Sequence, residues 1–205
     1  MMDFIKLQYT HFNWFELIEI VFFIPLVLLV LMLIMHYFFF TDSKDENIKN
    51  NNSFTRIQSW KTLPEVQLLM LSLPLHLLWE IAQFPLYTVW HENDWSYIIY
   101  GLIHCTLGDM LILISVFWIV SLLNRSRCWI YSPALSNVIL FTILGLGYTI
   151  FSEIVNTRIT NSWGYTELMP IVPIIEVGGM PFLQWLLIPS VIIWLMQIIR
   201  PTQRI

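Results

Sequence analysis

Long apolar runs separated by short polar stretches define the elements of this chain. Four runs, at about residues 16–40, 96–122, 135–156 and 182–199, approach or exceed the ~20 residues that a helix needs to cross a bilayer. A fifth run, at about 64–88, is equally long but carries polar side chains within it. The pattern predicts five transmembrane helices in a single 1–205 domain, with a polar loop at 41–63 between the first two.

Residues 157–181 depart from this pattern. Prolines and glycines interrupt them too often for a span, yet they are too apolar and aromatic for an ordinary solvated loop. We expect a segment that lies at the membrane interface or re-enters, packed as a lid over the outer ends of the second, third and fourth spans. Its apolar side chains, Ile171, Val172, Ile174 and Ile175, require burial. The predicted fold is an all-α membrane protein, a bundle of five transmembrane helices with this segment before the last.

The second span carries a polar stripe. His76, Glu80 and Gln83 are four and three residues apart, so they share one face of a helix. A carboxylate in hydrocarbon is costly unless it is paired, hydrated or protonated. This stripe is therefore expected to face protein or a wet cavity, and the other spans must supply its partners.

The other spans contribute further polar side chains. They are His104 and Asp109 on the third span, Glu153 and Asn156 on the fourth, and Gln184 on the last. At ~1.5 Å per residue, Glu80 and His104 lie about 10–12 Å below the outer interface, and His76 and Asp109 about 18–20 Å below it. His104 and Asp109 are about 140° apart around their helix, so both cannot point at the second span. We expect one of them to face the fourth span, with Glu153 and Gln184 closing the site from above.

Composition places the chain among integral membrane proteins. It is 57% hydrophobic and 12% charged, with a mean hydropathy of +0.68, against about 45–50% and about 25% in soluble domains. The net charge of -4 provides no basic surface for nucleic acid. The two cysteines, Cys105 and Cys128, are too far apart along one helix, roughly 34 Å, to form a disulfide.

The distribution of basic residues predicts the orientation. Eight of the ten fall on one side if the loops alternate: Lys44, Lys49, Arg56, Lys61, Arg125, Arg127, Arg200 and Arg204. By the positive-inside rule that side is cytoplasmic, so the N-terminus lies outside and the C-terminus inside. The polar side chains then lie in the outer half of the membrane, which we expect to be a bacterial inner membrane.

The polar groups suit two kinds of chemistry. As acids and bases, Glu80, His104 and Asp109 are candidate catalytic residues. As ligands of a transition metal such as zinc, iron or copper, the candidates are His76, Glu80, His104, Asp109 and Glu153. The amides Gln83, Asn156 and Gln184 are placed as supporting residues, and hydrogen bonding between helices accounts for them most simply. The sequence contains no H-E-x-x-H, glycine-rich phosphate loop or G-x-S-x-G motif.

Residues 149–188 resemble an uncharacterised family of small bacterial inner-membrane proteins. The resemblance rests on Glu153, Asn156, Trp163, Tyr165, Met169, Pro170, Gly178, Pro181, Gln184 and Trp185, with the WEIAQFPLY and HCTLGD segments. It covers the last four spans. It implies a membrane location but neither an activity nor assigned residues.

Three hypotheses of function remain open at this point. The first is a site that binds a metal or an amphipathic small molecule, with or without catalysis. The second is a proton- or ion-coupled carrier, although a carrier needs access from both sides and the inner halves of the spans are almost wholly apolar. The third is a non-catalytic structural or helper subunit. Membrane lipid is the expected surrounding, and the sequence does not indicate a protein partner.

Overall fold

The computed structural model describes residues 63–199, which belong to one compact unit. The predicted first span and nearly all of the 41–63 loop lie outside the described residues, as does the chain beyond residue 199. The described part is 77% helical with little sheet. The expected helical class is therefore confirmed there.

Five α-helices follow one another within residues 63–199. They are α1 (Pro64–Gln83), α2 (Val89–Glu92), α3 (Trp95–Leu123), α4 (Leu135–Ile154) and α5 (Gly179–Ile198). Short 3-10 turns occupy Phe84–Leu86 and Arg127–Tyr131, and a π turn extends α4 over Val155–Ile159. α5 begins three residues earlier than predicted because Pro181 lies in its first turn, where its missing N–H is not needed.

Four of these elements are long and apolar enough to cross a membrane. They are Pro64–Leu86, Trp95–Leu123, Leu135–Ile159 and Gly179–Ile198. They correspond to the predicted second to fifth spans. In each of these helices, no more than 44% of the most apolar stretch is buried inside the protein. Their exposed faces carry side chains such as Leu78, Ile103, Ile143 and Trp194, as expected for helices surrounded by lipid.

The four long helices pack as a ring. α1 packs mainly against α3 and α5, and α4 packs against the same two helices from the opposite side. Glycine allows close approach at two places: an added Cβ on Gly145 would lie 2.1 Å from the Trp185 ring, and one on Gly101 would lie 2.6 Å from Phe84. At Gly108, by contrast, an added Cβ would have no atom within 4 Å.

At one end of the bundle, here called the basic end, the loop before α4 is bonded to the start of α1. Arg127 pairs with Glu65 at 3.0 Å, and the Tyr131 hydroxyl donates to Gln67 Oε1 at 2.6 Å. Apolar side chains fill the bundle between this end and its middle: Leu68, Leu113, Val116, Phe117, Val120, Phe141, Ile188, Ile192 and Met196. This half of the bundle is therefore a dense hydrophobic core.

At the opposite end, here called the hairpin end, residues 164–166 run alongside residues 86–88. The Thr88 amide donates to the Gly164 carbonyl and the Thr166 amide to the Leu86 carbonyl, both at 2.9 Å. A two-stranded antiparallel hairpin follows, with β1 at Ile171–Val172 and β2 at Val177–Gly178. Arg158 donates to the Ile175 and Glu176 carbonyls and so fixes the hairpin to the end of α4.

The segment before α5 contacts the bundle, but the burial of the hairpin differs from the expectation. Met169 of this segment is buried in one cluster with Phe84 and Ile98, from beyond α1 and from α3. However, Ile171 is 45% exposed and Ile174 is 99% exposed, so their expected burial is wrong. The turn between β1 and β2 projects away from the bundle, and Met169 and Val177 are buried instead.

Candidate functional site

A buried polar network lies where α1, α3 and α5 meet. The predicted stripe of His76, Glu80 and Gln83 on α1 points inward, and each of the three side chains is buried. Asp109 comes from α3 and Gln184 from the second turn of α5, and both are buried as well. The network thus connects α1 to both of its neighbours in the ring, α3 and α5. It also connects α3 to α5, which lie opposite each other.

The Gln184 amide is at the centre of this network. Its Nε2 atom lies 3.0 Å from His76 Nδ1, 3.2 Å from Glu80 Oε1 and 2.7 Å from Asp109 Oδ2. His76 Nδ1 is also 3.2 Å from Asp109 Oδ2. His76 and Asp109 therefore form a direct pair, in agreement with the similar depths estimated for them from the sequence.

The orientation of both amides follows from a tryptophan. Trp79 Nε1 donates to Gln83 Oε1 at 3.0 Å, and an indole N–H can only donate. The Gln83 NH₂ group therefore faces Glu80 Oε1 at 2.7 Å and Gln184 Oε1 at 3.3 Å. The Gln184 oxygen is occupied as an acceptor, so its NH₂ group must face the histidine and the two carboxyl groups.

This orientation leaves the network short of hydrogens. Gln184 Nε2 has two hydrogens but three polar neighbours. The conflict is smallest if both hydrogens go to Glu80 and Asp109 and His76 carries its own hydrogen on Nδ1, directed at Asp109. In that arrangement His76 Nε2 is the free ring nitrogen, and it is buried without a hydrogen-bond partner among the described residues.

Within residues 63–199 the network also has no fixed cation. Arg127 pairs with Glu65 at the basic end and Arg158 with Glu176 at the hairpin end. No Lys or Arg forms an ion pair with Glu80 or Asp109 in the described part of the chain. Glu80 Oε1 and Asp109 Oδ2 both accept from Gln184 Nε2, at 3.2 and 2.7 Å. The two carboxyl oxygens therefore cannot be farther apart than the sum of these distances. Two bare carboxylates this close in a buried site repel each other strongly.

The structure does not bring His104 into this network. Its ring stacks on Tyr100 with the centroids 5.6 Å apart, and it makes no hydrogen bond within residues 63–199. Glu80 and His104, to which the sequence assigned similar depths, are therefore not joined by a hydrogen bond in the described part of the chain. Asp109 points towards α1, and the ~140° rotation between the two positions turns His104 away from it.

Glu153 forms a second polar group closer to the hairpin end. Tyr165 donates a short hydrogen bond to Glu153 Oε2, and Tyr87 donates to Oε1 at 3.4 Å. Burial, and then the neighbouring Glu153 charge, raise the pKa of Tyr165, so its hydroxyl keeps its proton near neutral pH. The sequence assigned neither tyrosine to the site, because single tyrosines near a span end are typical interface anchors.

Asn156 does not join either group. Its amide donates to the Ser152 carbonyl one turn back in its own helix, at 2.9 Å. The proposed metal ligands are likewise distributed over two places, with Glu153 near the hairpin end and His104 turned away. Among residues 63–199 there is no group of three or more His, Cys, Asp or Glu side chains placed to hold a metal ion.

Comparison with known proteins adds no relationship to this geometry. No family model matches the chain, and neither does any curated protein or solved structure. The network itself is therefore the basis for any functional conclusion.

Proposed function

We propose that this chain is an integral membrane protein whose His76–Glu80–Asp109 network binds and exchanges protons. In this proposal the network serves an acid–base site for an amphipathic small molecule that enters from the hairpin end. His76 and Asp109 act as a proton-sharing pair, Glu80 is the second acid, and Gln184 and Gln83 position them.

A single observation carries the proposal: one neutral amide nitrogen is the shared donor of two buried carboxyl groups and the neighbour of a histidine. Because residues 63–199 provide no fixed cation, their network approaches electrical neutrality only by holding protons of its own. A proton on His76 neutralises one carboxylate, and a proton on Glu80 removes the other charge. Buried groups of this kind, whose protonation depends on each other, are typical of acid–base sites.

The division of the bundle favours a site over a carrier. Between the network and the basic end the interior is filled by side chains such as Phe117, Phe141 and Ile192, which are fully buried. A carrier would need a path through this core. The distribution of basic residues favours a basic end on the cytoplasmic side. We therefore propose that the site opens towards the outside of a bacterial inner membrane. We also propose that the chain belongs to the family of small inner-membrane proteins that residues 149–188 resemble.

Infrared titration of the purified protein in lipid vesicles tests the proposal. A protonated carboxylic acid has a C=O stretch separate from that of a carboxylate, so each acid can be followed. We expect a carboxyl band that titrates in the wild type and is lost or shifted in Glu80→Gln and Asp109→Asn. The exposed Glu167 provides the control Glu167→Gln. If the wild type and all three variants titrate alike, the network is only a cross-link between helices and the helper interpretation replaces this proposal.

A transition metal is a second candidate ligand because His76 Nε2 has no partner in the described part of the chain. A neutral imidazole nitrogen of this kind is a common metal ligand. Elemental analysis should then find zinc, iron or copper near one equivalent per chain. The metal should be lost in His76→Gln and kept in His91→Gln, whose ring is exposed. A metal-free wild type that still titrates would remove this candidate and leave the proton site.

A further inference from the structure

The carboxyl group of Glu153 lies between the buried network and the hairpin end. Its two oxygens accept from Tyr165 and Tyr87, which come from different segments. Asp109 and Cys105 of α3 are close enough to Glu153 to interact with it electrostatically. Glu153 is thus near the network, although no direct hydrogen bond joins them.

Two buried hydroxyl groups each lie one helical turn from one of these carboxyl groups. Thr149 is one turn below Glu153 on the same face of α4, and Thr106 is one turn from Asp109 on α3, each step being ~5.4 Å along the axis. Both side chains are buried, and neither hydroxyl has a hydrogen-bond partner among residues 63–199. A hydroxyl can both donate and accept, so a water molecule bound to each would link the two carboxyl groups.

We propose that Glu153 is the outer station of a proton path that reaches Glu80 and Asp109 past Thr149 and Thr106. This inference rests on the proposed proton-exchanging function and adds the route. The Glu153 carboxylate takes a proton from a hydronium ion at the hairpin end, which breaks a hydronium O–H bond and leaves water. It passes that proton to water held by the threonine hydroxyls, and this water passes a proton to the vacant Glu80 or Asp109 carboxylate. The bond that forms is the carboxyl O–H, and Glu153 returns to its anionic state.

The two tyrosines act as positioning residues. Tyr165 belongs to the segment that is bonded to residues 86–88 through backbone atoms, so its hydroxyl holds Glu153 at the junction of α4 and this segment. A phenol that keeps its proton stabilises the Glu153 anion, the form that accepts the next proton. Tyr165→Phe would therefore alter the rate at which Glu153 takes up a proton. The equilibrium titration of Glu80 and Asp109 would stay as in the wild type.

The test measures the rate of protonation separately from its extent. Vesicles containing the protein are subjected to a rapid pH drop, and the carboxyl band lost in Glu80→Gln or Asp109→Asn is followed with time. We expect Glu153→Gln and Thr149→Val to slow its appearance by at least about tenfold without changing its final amplitude, since removing a proton-transfer group typically costs that much or more. Tyr165→Phe should slow it to a smaller extent.

Matched controls are available in the same chain. Glu167→Gln removes an exposed acid, Ser190→Ala an exposed hydroxyl and Tyr148→Phe a phenol on α4 that lies beside the Phe151 ring. All three should keep the wild-type rate.

Wild-type rates in both Glu153→Gln and Thr149→Val would overturn the path and leave the proposed function standing. A wild-type protein without any titrating carboxyl band would overturn the proposed function and this inference together. If Glu153→Gln fails to fold, Thr149→Val and Tyr165→Phe decide the matter alone.

Discussion

Gln184 shows how much one neutral side chain can organise. It bonds to groups on two other helices, and its orientation is set indirectly by Trp79 through Gln83. From the sequence it was interpreted as a simple cross-link near the top of the site. Its position at the centre of the network could not be derived, because neither the start of α5 nor the rotation of that helix is encoded in a local pattern.

Replacing Gln184 separates its two contributions. Gln184→Leu removes one donor from Glu80 Oε1, which keeps Gln83, and one from Asp109 Oδ2, which keeps His76. We therefore expect a loss of about 1–3 kcal/mol for the two bonds together. Gln184→Glu adds a third acid to the same place, so its melting temperature should fall further at neutral pH. It should recover as the pH is lowered, because protonation removes the repulsion. Thermal unfolding in detergent across pH measures both effects.

Gln197 provides the control for this series. It is exposed on the same helix, so Gln197→Leu and Gln197→Glu should leave the melting temperature and its pH dependence unchanged. Equal behaviour of the two positions would contradict the central role of Gln184.

Tyr131 gives a prediction for alkaline pH. Burial is the main cause that raises its pKa to about 12, whereas an unfolded tyrosine titrates near ~10. Between these values the unfolded chain binds fewer protons than the folded chain, so stability falls as the pH rises through this window. Tyr131→Phe should lower the stability at neutral pH by removing the bond to Gln67, but should show a shallower loss between about pH 10 and 12. Tyr148→Phe should retain the wild-type slope.

At the scale of elements, helix existence was predictable and helix ends were less so. Four of the five apolar runs, at about 64–88, 96–122, 135–156 and 182–199, predicted α1, α3, α4 and α5, because about 20 apolar residues can scarcely be accommodated otherwise. The hairpin of Ile171–Val172 and Val177–Gly178 was missed since strands of two residues have no measurable periodicity. The contact of this segment with the spans was nevertheless predictable from its apolar and aromatic content.

The packing of α4 on α5 depends on a glycine. A Cβ added to Gly145 would lie 2.1 and 2.2 Å from two carbons of the buried Trp185 ring, so one side chain or helix must move. We expect Gly145→Ala to destabilise the protein by about 1–3 kcal/mol, as overpacking typically does. It should also disturb the titration of the network, because Trp185 follows Gln184 and lies beside His76.

Gly147→Ala is the matched control for Gly145→Ala. An added Cβ at Gly147 meets no atom within 4 Å, and alanine is the better helix former by about 1 kcal/mol. The melting temperature of Gly147→Ala should therefore be equal to or above that of the wild type. A Gly145→Ala protein as stable as Gly147→Ala would show that the ring and helix adjust freely, contrary to the prediction.

For the whole molecule, the main feature is that polar and apolar interiors occupy opposite halves of the bundle. The polar half adjoins the hairpin end, with Glu80, Gln83 and Glu153 buried in it, and the apolar half adjoins the basic end. The sequence predicted this division from the positions of the ionisable residues along the spans. It could not predict which of them meet, because meeting depends on helix rotation, as the separation of His104 from Asp109 demonstrates.

The orientation of the bundle is the last prediction, and two cysteine positions at opposite ends test it. Cys128 is exposed at the basic end, and Ile174 is almost fully exposed at the hairpin end. In a Cys105→Ala background, Cys128 should react with a membrane-impermeant maleimide only after the cells are permeabilised, because the basic end is expected inside. In a chain that also carries Cys128→Ala and Ile174→Cys, the new thiol should react in intact cells. The reverse labelling pattern would show that the orientation is inverted and that the proton site opens to the cytoplasm. Reaction of both thiols in intact cells would contradict a chain that crosses the membrane between these two positions.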